Sequence, residues 1–128
     1  MNLAAVTYDK YGNYIALRCL VNEQRCLHVL SVNVSCQADT YYPVLFSSGA
    51  ISRSYFFSCR DAGNSTELVA ADQSEIHEVW KLDGFLGISL AMADGHFTNV
   101  RFSMKGAFEA MGYVKEYTQE QDDVEYSL

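Results

Sequence analysis

The segment LGISLAMADGHFTNVRFSMKGAFEAM, residues 86–111, decides the fold. Leu86, Ile88, Leu90 and Met92 alternate with Gly87, Ser89, Ala91 and Ala93, the period of a half-buried strand. Asp94-Gly95 tolerates the positive φ of a tight hairpin turn. His96, Thr98, Val100 and Phe102 then alternate with Phe97, Asn99 and Arg101 on a return strand. At Ser103 the period becomes helical: Met104, Ala107, Phe108 and Met111 fall at i, i+3, i+4 and i+7. The segment predicts a hairpin with a helix across its apolar face. It contains no reaction centre.

Working outward, Tyr11-Gly12-Asn13 reads as a turn. Ile15, Leu17, Cys19 and Val21 alternate with Tyr14, Ala16, Arg18 and Leu20, a strand that ends at the polar break Asn22-Glu23-Gln24. In the next strand, about Cys26 to Val34, the apolar phase shifts. Leu27 and Val29 share one parity and Leu30, Val32 and Val34 the other, which predicts a bulge near Leu30 or burial on both faces. The strand Tyr41–Phe46 contains Pro43, so it is expected at a sheet edge or paired only outside that position. Arg53, Tyr55, Phe57 and Cys59 alternate with Ser52, Ser54, Phe56 and Ser58 as a further strand, and 60–66 is polar loop. Asp72 and Glu75 form a capping box for a short helix with the stripe Ile76, Val79 and Trp80, closed by Asp83-Gly84.

These elements predict a β-rich α+β domain over residues 1–116. The expectation is a single antiparallel β-sandwich or partly open barrel of about six or seven strands. A short helix at about 72–82 and a C-terminal helix at about 104–116 would pack on it. Residues 117–128 are expected to be an acidic, frayed tail.

A chain of 128 residues fits one domain. An apolar content of 49% with 13% aromatics marks it as globular. No apolar run approaches the roughly 20 residues of a membrane span, and none is expected. The N-terminal residues carry no basic region, so the chain as written reads as cytoplasmic, or periplasmic if a leader has been removed. Of the net charge of −7, residues 116–128 contribute five acids and no Lys or Arg. Glu120, Asp122 and Asp123 are therefore candidates for docking a basic protein surface, against the alternative of a solvated end. The nine Lys and Arg form no basic stripe, which argues against direct nucleic-acid binding.

Cys19 and Cys26 would face each other across a short hairpin, within disulfide reach, and Cys36 with Cys59 would complete the set. The alternative is four buried thiols in a reducing compartment. No pair has zinc or redox C-x-x-C spacing. His77 lies between Glu75 and Glu78, but position 81 is Lys, so no metalloprotease helix is present. His28 and His96 both fall on strands, yet no third metal ligand is placed with them. Gly87-Ile88-Ser89 is not a nucleophile elbow, and the glycines build neither a P-loop nor a dinucleotide fingerprint. No cofactor is expected. Asn33-Val34-Ser35 and Asn64-Ser65-Thr66 match the glycosylation sequon at a frequency near chance. The chain holds nine Tyr against one Trp. The tyrosines either cap the rim of a small β core or, at Tyr41 and Tyr42 beside Pro43, form a protein-contact face, and an edge there could receive a partner's strand or pair with a second copy.

The order of features resembles exported bacterial β domains of the invasion-associated locus B type and the type VI secretion-associated VasI-like domain. The residues carrying it are Cys19 with a second Cys soon after, Phe57-Ser58-Cys59-Arg60-Asp61-Ala62-Gly63, Leu82-Asp83-Gly84, the hairpin, and Ser103-Met104-Lys105-Gly106-Ala107-Phe108-Glu109-Ala110. Asn64 stands where the first family tends to carry a Cys. The resemblance implies a periplasmic, non-enzymatic β domain and brings no catalytic residues. The functional expectation is a non-catalytic protein-binding module, adaptor-like or inhibitor-like. The alternatives are an exported envelope or secretion accessory domain, and a small enzyme centred on His28 and His96.

Overall fold

The computed structural model describes residues 2–32, 36–49, 51–61, 66–71, 76, 79, 80, 84–91 and 97–127. It is a β-rich α+β fold. The strands are β1 (Asn2–Tyr8), β2 (Tyr14–Leu20), β3 (Arg25–Ser31), β4 (Tyr41–Ser48), β5 (Ile51–Asp61), β6 (Thr66–Ala70), β7 (Phe85–Ala91) and β8 (Phe97–Ser103). They form one sheet in the order β1-β2-β3-β6-β5-β4-β7-β8, with every neighbouring pair antiparallel. The sheet curls until its two edges approach, and the Thr7 hydroxyl donates to the Ser103 carbonyl at 3.2 Å. The partly open barrel is therefore the alternative realised, not two stacked sheets. The helix α1 (Ala107–Ser127) packs on β1 and β2.

The core fills the inside of this curl. Alternation along β2, β4, β5 and β7 turns Ile15, Leu17, Val44, Phe46, Phe57, Ile88 and Leu90 inward, all essentially without water contact. Trp80 lies among them, its ring 6.3 Å from Phe46 and 4.9 Å from His28. Ile76, Val79 and Trp80 are helical and buried, but the capping residues Asp72 and Glu75 lie outside the described residues. So do the turn Asp94-Gly95, His77, His96 and both sequon asparagines.

Four expectations change. Two strands, β1 and β6, are not legible in the sequence. In β6, Glu67, Leu68, Val69 and Ala70 are all buried, and burial on both faces erases the alternation that reveals a strand. The same cause explains the phase shift in β3. Its register with β2 runs unbroken from Tyr14↔Ser31 to Leu20↔Arg25, so no bulge exists there, and His28, Val29 and Leu30 are buried in succession.

The strand of Tyr41 and Tyr42 is not an edge, which removes that position as a site of edge pairing with a second copy. β4 lies between β5 and β7. The Cys59 N–H donates to the Thr40 carbonyl at 2.9 Å, so even residues of β4 turn toward β5 and odd ones, Pro43 included, toward β7. The ladder to β7 starts at Val44↔Leu90, immediately after the proline that has no donor to offer it. The fourth change is in the helix. Phe108, expected on the buried side, is 63% exposed. The buried stripe is Met111, Val114 and Thr118, continuing past Gly112, and α1 extends through the segment expected to be a tail.

Disulfides join Cys19 to Cys26 and Cys36 to Cys59. They close loops of sequence separation 7 and 23. Loop-closure entropy then assigns about 2.4 and about 3.4 kcal/mol to them respectively. Urea denaturation of the two Cys→Ala double variants should show the Cys36–Cys59 variant less stable by about 1 kcal/mol.

Candidate binding face

The outer face of the curled sheet has two unlike halves. On β2, β3 and β6 the outward residues Ala16, Val29 and Val69 form a small apolar cluster of their own, with Tyr14 and Leu27 packed against it. Beside that cluster Arg18 grips Glu67 with two hydrogen bonds, Nη1 to Oε1 at 3.1 Å and Nη2 to Oε2 at 2.7 Å. The Tyr14 hydroxyl donates to Oε2 of the same carboxylate. Glu67 is only 7% exposed. Arg18 holds its carboxyl below the ordinary range, outweighing the burial that pushes upward, and Tyr14 adds to the effect. Burial first, and then Glu67, raises the Tyr14 phenol.

This cluster sits where the sheet is least stitched. β3 and β6 share only the register pairs Val29↔Val69 and Leu30↔Leu68. Tyr14 and Arg18 reach from β2 across β3 to β6, so the ion pair braces the shortest ladder in the barrel.

On β4, β5, β7 and β8 no comparable cluster covers the outer side chains among the described residues. Phe56 lies opposite Pro43 on β4, and Ala91 of β7 lies opposite Phe97 on β8. Continuing the β4–β7 register one step past Val44↔Leu90 aligns Pro43 with Ala91. A row Phe56–Pro43–Ala91–Phe97 therefore crosses four strands, flanked along β4 by Tyr41 and Leu45. Phe56 is 62% exposed and Phe97 70%. Cross-strand neighbours on one face stand about 5 Å apart, so these residues form a contiguous apolar patch.

Of the residues anticipated as contacts, Tyr41 is 62% exposed and belongs to this patch. Tyr42, one residue on, points the other way, packs against the core, and accepts the Gln37 N–H at 3.0 Å. The two tyrosines thus do not act together. Glu120, Asp122 and Asp123 lie on the distal half of α1, and their side chains fall outside the described residues. His28 is 3% exposed against Trp80, closed off from any substrate in water. Sequence reasoning misses Phe56 and Phe97. Each is visible as an aromatic residue on the polar phase of an alternating strand, a signal that points outward rather than to the core.

Among the described residues two depressions stand out. An apolar cavity of about 140 Å³ lies under α1 against β1 and β2, and includes Ile15, Leu17, Trp80 and Met111. A wider cleft of about 750 Å³ separates the Asp9–Asn13 turn from β7 and β8. No helix among the described residues is long and apolar enough to cross a membrane. No protein-family model, curated protein or solved structure matches the chain.

Because Arg18 is partly exposed, Glu67→Gln should cost about 1–3 kcal/mol. The folded carboxyl titrates below its unfolded counterpart, so its contribution is complete above the ordinary carboxylate range and is lost as pH falls through the folded value. Urea midpoints of the parent and of Glu67→Gln should therefore lie well apart at neutral pH and converge below about pH 4.

Proposed function

We propose that this domain is a non-catalytic protein-binding module that covers a partner's surface with the outer face of β4, β5, β7 and β8. The observation that carries the reading is the uncovered row Phe56–Pro43–Ala91–Phe97 with Tyr41 beside it. The same sheet seals its other outer half with its own side chains, so bare aromatic surface is not a general property of this fold. Aromatic residues with water at their edges and apolar faces are the ordinary anchors of protein interfaces. The five acids of residues 116–128 favour a partner with basic surface.

The site of action in this reading is an oxidising compartment. Both disulfides support it, since such bonds persist outside the reducing cytosol. The resemblance to exported β domains points the same way, and makes an envelope or secretion accessory role the narrower form of the proposal. Thiol titration of protein taken from its native host and denatured without reductant should find no reactive cysteine. Four would place it in the cytosol and remove this part of the reading.

The binding claim rests on Tyr41→Ser combined with Phe56→Ser. Both side chains are exposed, so the variant should unfold within about 0.5 kcal/mol of the parent. Photocrosslinking from position 97 in the host should give a discrete adduct with the parent chain and lose it in the double variant. Equal adducts from both chains would overturn the assignment of this face.

A further inference from the structure

The cleft between the Asp9–Asn13 turn and β8 contains a strand edge that the fold leaves unpaired. The Met104 N–H donates to the Gly84 carbonyl at 2.6 Å, which fixes the alternation along β8. Even residues bond to β7, and the N–H and C=O groups of Phe97, Asn99 and Arg101 point to the open side. The next odd residue, Ser103, already uses that side, its carbonyl accepting the Thr7 hydroxyl. Beyond Tyr8 the chain leaves the sheet for the turn, and β1 forms no ladder with β8 among the described residues. Thr98 and Val100, which face inward, are half-buried where Ile88 and Leu90 on the adjacent strand are fully buried.

Charge selects what fits. Lys10 and Arg101 line the cleft, each lying over an aromatic ring, Tyr11 at 5.1 Å and Phe85 at 4.1 Å. Neither forms an ion pair among the described residues. Among the described residues the one acid in the lining is Asp9, whose carboxylate is held by its own turn: it accepts the Tyr11 N–H at 2.8 Å, the Asn13 N–H at 3.0 Å and Asn13 Nδ2 at 2.7 Å. In a chain of net charge −7 the described lining thus carries two cations against one carboxylate, a local positive excess.

We propose that β8 receives an extended acidic peptide of a partner protein, which adds a ninth strand between β8 and the Asp9–Asn13 turn. Its alternate side chains would be apolar, toward Thr98 and Val100, and acidic, toward Arg101 and Lys10. Main-chain bonds to Asn99 and Arg101 supply affinity, and the cations supply preference. A second copy of this chain is the poorer occupant, because pairing β8 with β8 would bring a second Arg101 to a cleft that already holds Arg101 and Lys10. The inference rests on the protein-binding reading and names a second contact within it, next to Phe97.

The test uses the full chain and a fluorescein-labelled heptapeptide of alternating valine and glutamate. Anisotropy should show saturable binding, weakened about tenfold or more by Arg101→Glu. Hydrogen exchange should show the Asn99 and Arg101 amides exchanging fast in the free protein and protected by the peptide. Equal binding of a peptide N-methylated at alternate amides, or protection confined to other strands, would overturn the proposal. So would protection of these amides by raised protein concentration alone, which would identify a second copy as the occupant. If the peptide fails while Tyr41→Ser with Phe56→Ser still abolishes the crosslinked adduct, the edge inference falls and the face survives. Peptide binding with no adduct from the parent chain would leave the edge standing and remove the face.

Discussion

An antiparallel sheet of eight strands has two edges, and closing one against the other is the constraint on which this molecule depends. The closure is made by few groups. Thr7 and Ser103 touch, and below them Met104, Met111 and Val114 fill the space between the first strand and the helix. Were that seam to part, the inner faces of β1 and β2 would meet water, and with them Ile15 and Leu17. The dry interior around Trp80 and Phe46 is thus a property of the closure and not of any single strand pair.

The same constraint explains which features can be read from the sequence. Strands with one wet and one dry face, β5, β7 and β8, announce themselves by alternation, and β2 does so by residue type although Ala16 on its outer face is also buried. β3 and β6 do not, because the Tyr14–Arg18–Glu67 cluster roofs their outer surface and lets Val29 and Val69 be apolar on both sides. Pro43 carries a sound rule to the wrong place. It forbids a hydrogen bond on one side of β4, which the fold resolves by starting the β7 ladder one residue later rather than by leaving β4 at an edge. Phe108 misleads for a related reason. Met104, Ala107 and Met111 keep the expected phase, in step with Val114 and Thr118, but the buried stripe is too narrow to take in Phe108 beside them. The binding face is only half legible: Tyr41 stands out by composition, whereas Phe56 and Phe97 need the strand order to become neighbours.

The two halves of the outer surface are held together in different ways. Where β3 meets β6 the ladder is short, and the chain places a bidentate ion pair and a phenol across it. Where β5, β4, β7 and β8 lie side by side, long β4–β5 and β7–β8 ladders and a four-pair β4–β7 ladder hold the backbone. Their outward residues are released from structural duty. In the proposed binding role, a well-paired platform of this kind would hold the exposed aromatic residues in place before association and so lower its ordering cost.

The strand order also says something about how the chain reaches this state. It consists of two three-stranded meanders and a hairpin, each local in sequence, joined at β3/β6 and β4/β7. Those joins bring together residues about 40 apart, and such distant pairings govern the folding speed of β proteins. The bond between Cys36 and Cys59 lies inside the span that the β3/β6 join closes. If it is oxidised before collapse, the tether between Leu30 and Leu68 shrinks from about 38 residues to about 15, sparing about 0.8 kcal/mol of closure entropy. An oxidising environment would then act on the kinetics of assembly as well as on the finished barrel, with newly made chains collapsing faster there than in a reducing one.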